Sequence, residues 1–229
     1  MKPFLYTLAF CCAIVSTVEA QSIFINVGGG FSMMNPQRNY AFTYTIDQWT
    51  SGGRFDEMSG QRVDIGFHIA SSLQFQLREA PLSFTAGVSY AQFYGKSDFV
   101  KSESPPWYST IYTVGKLTTR SNILTLRTGA QWQFSRSPIA PYVSLDLLYN
   151  IIGDTKLSIS SGPSTIEAVA NGNTRMGISP GAGARVAILP SMDIVLGANY
   201  SWMNLVTPGT DEESRGALSL TACISYRIF

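Results

Sequence analysis

Charge is scarce in this chain. Asp, Glu, Lys and Arg together make up 14% of its 229 residues, against roughly 25% in soluble domains. The formal net charge is +1, so there is no basic footprint for nucleic acid and no such partner is expected. Cysteine is nearly missing. After Cys11 and Cys12 only Cys223 remains, and one thiol closes no internal disulfide. Histidine occurs once, at His68. One imidazole without clustered cysteines lacks the usual ligand set for a metal, and neither metal nor other cofactor is expected. Past Ala20 no apolar run approaches the ~20 residues of a spanning helix.

What is present begins with an export signature. Lys2 precedes an apolar run from Phe4 to Val18, and Val18-Glu19-Ala20 fits a signal-peptidase site before Gln21. Residues 1–20 read as a secretory signal, leaving 21–229 as one domain. Phe10 stands where a lipobox ahead of Cys11 needs a small residue, which argues against lipidation. Aromatics reach 12% of the chain. A chain poor in charge, rich in aromatics and without spanning helices suits closed sheet in lipid, where every backbone group must be paired.

Alternation of period two marks eight segments as strands. The first is Ser22–Met33. The second is the clearest: Val63, Ile65, Phe67, Ile69, Leu73, Phe75 and Leu77 share one phase, and Arg62, Asp64, Gly66, His68, Ser72, Gln74 and Gln76 the other. Leu82–Gly95, Ser121–Phe134, Tyr142–Ile151, Thr174–Ile188, Met192–Trp202 and Ala217–Phe229 follow. Each is long enough to cross a bilayer at a tilt. The connections Arg78–Pro81, Ser135–Pro141 and Leu189–Ser191 are short, whereas Met34–Gly60, Lys96–Thr119, Ile152–Asn173 and Met203–Gly216 are long. That rhythm is the one expected of outer-membrane barrels. An even strand count puts both termini on the short-turn side, the periplasm.

Residue size decides which phase faces inward. The less apolar phase carries Gly87, Ser89 and Ala91, then Gly177, Ser179, Gly181 and Gly183, with almost no Lys or Glu. A wet surface would carry long charged chains. Small residues suit the crowded lumen of an eight-stranded barrel, so the bulky phase faces lipid. Phe75, Phe84, Trp132, Phe134 and Tyr226 fall near the short turns. Tyr90, Tyr94, Tyr149, Tyr200 and Trp202 fall near the long loops. They form two girdles about an aliphatic middle.

Together with the alternating tail that ends at Phe229, these features resemble the small outer-membrane β-barrel family: the transmembrane domain of OmpA, OmpX and related single-domain barrels. The resemblance covers Gln21–Phe229. It implies an all-β, eight-stranded antiparallel up-and-down transmembrane barrel in the cell outer membrane. It also implies that the last strand is read by the barrel-assembly machinery, with Tyr226, Ile228 and Phe229 as the signal. Phe229 is one step out of the lipid-facing phase held by Tyr226 and Ile228.

The lumen phase holds Arg62, Asp64, His68, Arg127, Asp146, Arg175, Arg185, Asp193 and Arg227. Charges at membrane depth must pair or meet water. Arg127 and Asp146 fall at mid-depth; Arg185, Asp193 and Arg227 cluster at the short-turn end; Arg62, Asp64 and Arg175 lie at the other. A self-satisfied polar plug is expected, with a narrow porin-like solute or ion channel as the alternative. A lipid-modifying enzyme would need a serine two residues past the histidine, and Ala70 occupies that place. No catalytic residue is assigned. Asp211-Glu212-Glu213 lacks the spacing of a cation site.

The long loops are rich in aromatics, with Trp49, Trp107 and Tyr108 as binding candidates. The alternative is that Ala41–Ile46 and Ile111–Val114 extend the strands beyond the membrane. The expected role is non-catalytic: envelope structure, or binding of an extracellular ligand through the loops. The expected partners are outer-membrane lipid, lipopolysaccharide and the assembly machinery, and the barrel is expected to be a monomer.

Overall fold

The computed structural model describes residues 20–34, 65–78, 80–103, 111–135, 137–161, 164–206 and 216–228. Residues 1–19 of the expected signal at 1–20, with Arg62, Asp64, Trp49, Trp107, Tyr108, Asp211–Glu213 and Phe229, lie outside them. The strands are β1 (Ala20–Met34), β2 (Ile65–Leu77), β3 (Leu82–Glu103), β4 (Ile111–Gln133) and β5 (Ile139–Ile152). They continue with β6 (Thr155–Ser161), β7 (Ser164–Ala170), β8 (Asn173–Leu189), β9 (Met192–Val206) and β10 (Gly216–Arg227).

Eight of these close a barrel. Hydrogen bonding runs β3-β2-β1-β10-β9-β8-β5-β4, and β3 pairs with β4 to complete the ring. Every pairing is antiparallel, and the first and last strands meet from Phe24↔Arg227 to Met34↔Ala217. Closure leaves no unpaired edge within the barrel. β6 and β7 stand outside the ring. They form a hairpin that adds to the outer half of β4, from Lys116↔Ser160 to Arg120↔Lys156.

The burial pattern is that of a lipid-solvated protein. β2 and most of β5 alternate exposed and buried, with the aliphatic phase exposed. Phe31 (70%), Ile69 (63%) and Ile224 (58%) are among the most exposed, and large apolar side chains from every barrel strand join them. No monomer in water carries so continuous an apolar belt. Ile65 and Phe67 belong to it, while Ser89 lines the interior. The outward assignment of the bulky phase therefore holds. Leu147, mid-strand in β5, is exposed. Leu147→Lys is expected to cost about 2–4 kcal/mol, as a cation does at the bilayer midplane of a barrel. Urea titration in lipid vesicles measures this, and a cost under about 1 kcal/mol would mean that the face meets water.

The structure corrects two of the expected loops. Lys96–Thr119 is largely strand, because β3 and β4 remain paired out to Glu103↔Ile111. The extension expected at Ile111–Val114 is therefore present. Ile152–Asn173 folds into the β6–β7 hairpin instead of a loop. Backbone pairing does not end where lipid does; only the apolar alternation does.

Candidate functional site

The lumen is filled in three layers. Nearest the short turns lies a charged layer. Arg185 and Asp193 flank the tight turn between β8 and β9, both in the lumen phase, and pair at 3.1 Å with both side chains buried. Arg185 also donates to Gln74 Oε1 from β2. Its guanidinium lies 4.3 Å from the centroid of the Phe24 ring, and that of Arg227 lies 5.3 Å from the same ring. Buried charges hold their place only with such partners. Just inward lies Tyr142, buried. A Cβ at Gly183 or Gly197 would come within 2.6 Å of its hydroxyl, so these glycines make its berth.

The middle layer is a chamber of about 70 Å³, lined by Arg127, Asp146, His68, Asn199 and small residues, and by the apolar side chains of Phe93, Ile123, Leu148 and Met203. That is room for a few waters. Asp146 accepts from Thr85 at 3.2 Å. Gly129 stands opposite Asp146 in register, and a Cβ there would lie 2.1 Å from the carboxylate. His68 is held on both nitrogens, by Ser32 at 2.9 Å and Thr221 at 3.0 Å. Ser32 in turn meets Ser219 at 2.8 Å. Thr125 donates to Asn150, which donates to the Met203 carbonyl.

The third layer, nearest the long loops, is apolar. Met34, Phe93, Ile123, Ile152, Met203 and Ala217 pack together inside the ring. The sequence reading missed this cap, as it missed Phe24 and Tyr142, by describing the lumen phase as small and polar.

The expected lumen residues thus divide by depth. Arg185, Asp193 and Arg227 gather at the short-turn end around Phe24. Arg127, Asp146 and His68 share the chamber. Arg175 stands opposite Asn150 near the other end and donates to the Thr174 carbonyl. Ser32 and His68 are a hydroxyl–imidazole pair, but Thr221 occupies the place of the third group that would orient a base. Ser32 is also buried under the apolar cap. Among the described residues no group of three or more His, Cys, Asp or Glu is placed to hold a metal.

At the tail, Tyr226 and Ile228 point outward and are exposed. The Ile228 N–H donates to the Ile23 carbonyl at 2.8 Å, so the pairing reaches past the end of β10.

No protein-family model matches the chain, and no curated protein does. Solved structures are similar in outline. The Neisserial surface protein A shares 15% identity, with 89% of this chain and 96% of that one covered, at a TM-score of 0.48. Ail, the attachment invasion locus protein of Yersinia pestis, solved with a heparin analogue, shares 13% over 90% and 98%, at 0.38. The outer membrane protease OmpT of Escherichia coli shares 7% over 92% and 98%, at 0.48. Closure of eight antiparallel strands, the outward apolar belt and the filled axis show on their own that this chain has the fold of the small outer-membrane β-barrels.

Proposed function

We propose that this chain is an integral outer-membrane protein with a non-conducting, non-catalytic barrel, acting in envelope structure or surface binding through the sheet and loops it raises at the long-loop end. The observation that carries the reading is the closure of the lumen on both sides of the chamber. Arg185, Asp193, Gln74 and Phe24 fill it below, and Met34, Phe93, Ile123, Ile152 and Met203 fill it above. A hydrated ion would have to displace an apolar plug and a paired charge in turn, and an eight-stranded ring leaves no other route.

The surface part rests on strand length. β3 has 22 residues and β4 has 23, against 13 in β2 and 12 in β10. A crossing needs about 9–11. The excess, widened by the β6–β7 hairpin, is a sheet of four strands standing beyond the ring. Structure of this length outside the membrane supports a role in contact. In this reading both termini are periplasmic, the barrel is a monomer, its last strand engages the assembly machinery, and Trp49, Trp107 and Tyr108 belong to the contact surface.

Planar-bilayer recording tests the closed lumen. The purified protein is expected to insert without discrete current steps. Steps whose size changes in Arg127→Gln or Asp146→Asn would establish a channel through the chamber and overturn the proposal.

A further inference from the structure

On the outward face of β3 and β4 the side chains change character within one step of the register. Tyr90 stands opposite Leu124, then Gln92 opposite Asn122, Tyr94 opposite Arg120, and Lys96 opposite Thr118. β6 continues the same rows, with Lys156 opposite Arg120 and Ser158 opposite Thr118. Apolar side chains lie on the barrel side of this step and cations beyond it. Directly opposed residues share a face. Lys96, Arg120 and Lys156 therefore form one outward group, and all three are exposed.

The spacing is tight. Arg120 and Lys156 are direct neighbours, about 4.5–5.5 Å apart at Cβ, and Lys96 is diagonal to Arg120 at about 7–8 Å. Like charges set opposite one another repel, and their row contains no acid: it reads Tyr94, Arg120, Lys156, Val169. One acid stands close by: Glu167 ends the row of Lys96, Thr118 and Ser158, one step further out, and is diagonal to Lys156.

Arg120 is also held in place. Its guanidinium carbon lies 5.5 Å from the centroid of the Tyr94 ring. With the Gln92 amide oxygen turned toward it, Nε and Nη2 donate at 2.9 and 2.6 Å, and the amide nitrogen donates to the Tyr94 hydroxyl at 2.6 Å. A guanidinium fixed this way keeps further N–H donors in the planar fork that matches phosphate.

Height supplies the last part of the argument. Amphipathic rings mark the membrane interface; Tyr90 and Tyr149 are exposed just inside the cations, and Tyr94 is exposed level with Arg120. We infer that Lys96, Arg120 and Lys156 form a lateral binding site for the phosphate groups of a phosphorylated lipid headgroup in the leaflet at the long-loop end. The source is a lipid and not free phosphate, because the site opens sideways above Tyr90, Leu124 and Ile151, an apolar border that acyl chains cover. The inference rests on the reading of this barrel as membrane-spanning with its long-loop end outward.

Native mass spectrometry of the full barrel, released from a neutral detergent, tests it. The probes are lipid A with two phosphates, the same lipid dephosphorylated, and inorganic phosphate alone. Bound copies of the phosphorylated lipid are expected. Lys96→Gln/Arg120→Gln/Lys156→Gln is expected to bind it on the order of a hundredfold more weakly, as three surface cations would account for. Arg78→Gln, at the opposite rim beside the end of β2, should bind as the wild type does. Equal binding of the dephosphorylated lipid, an unchanged triple variant, or inorganic phosphate bound as well as the lipid would overturn the site. Heat-modifiable gel mobility separates the two readings. If the wild type lacks it, the membrane assignment and the site both fail; if it is normal and phosphate has no effect, only the site fails.

Discussion

Asp193→Ala is expected to lower the stability of the barrel by about 3–5 kcal/mol, the usual cost of leaving one member of a buried ion pair behind. Asp193 is the only carboxylate paired with Arg185 among the described residues, at 3.1 Å. Gln74 and the Phe24 ring remain, but neither carries charge. The guanidinium would then face Arg227 across the same ring with nothing to offset it. The double variant Arg185→Met/Asp193→Leu separates charge from packing. It removes both ions, keeps apolar volume beside Phe24, and is expected to lie within about 1–2 kcal/mol of the wild type. Urea titrations in lipid vesicles, followed by tryptophan fluorescence, measure both. A single variant as stable as the double would show that the layer is held by its hydrogen bonds and packing alone.

The placement of that pair was legible in the sequence, and its surroundings were not. Arg185 and Asp193 share a phase on two strands joined by a tight turn, so period two and a short connection suffice to bring them together. Phe24 and Gln74 come from β1 and β2, across the lumen. Which residues meet across a barrel depends on the stagger of the whole ring, and no local pattern encodes that. The apolar cap failed to show for a related reason. Phe93, Ile123, Ile152, Met34 and Met203 each occupy one lumen-phase position beside a long loop. They become a group only when the strands are aligned by distance from the loops, whereas the phase as a whole reads as glycine, serine and alanine.

The strand ends show a different limit. Apolar alternation exists because one face meets lipid, so it lapses at Gln92 and Asn122, where lipid ends. The backbone pairing of a hairpin has no such reason to stop and continues to Glu103 and Ile111. In β6 a sequence signal is present: Leu157 and Ile159 alternate with Lys156, Ser158 and Ser160, and the dipeptide Gly162-Pro163 that follows is of a composition that favours turns. The segment has 7 residues, too short to cross a membrane, so its alternation does not mark it as a barrel strand.

Gly30→Val is expected to prevent the barrel from closing. A Cβ at Gly30 would lie 1.8 Å from the Leu220 carbonyl oxygen, and one at Gly28 2.1 Å from that of Ala222. Both obstacles are backbone, which no rotamer change can move. They lie on the seam where β1 meets β10. Ordinary overpacking costs about 1–3 kcal/mol because side chains and backbone adjust. Here the adjustment would part the first strand from the last and expose unpaired N–H and C=O groups to hydrocarbon, at several kcal/mol apiece. Gly181→Ala is the contrasting case. Its Cβ would meet the Asn199 and Ser144 side chains at 2.8 Å, which can turn into the chamber, so a loss of about 1 kcal/mol is expected. Refolding into lipid vesicles, scored by heat-modifiable gel mobility, should give a folded band for Gly181→Ala and none for Gly30→Val. A folded Gly30→Val of wild-type stability would falsify the close approach of β1 to β10 on which closure of the ring depends.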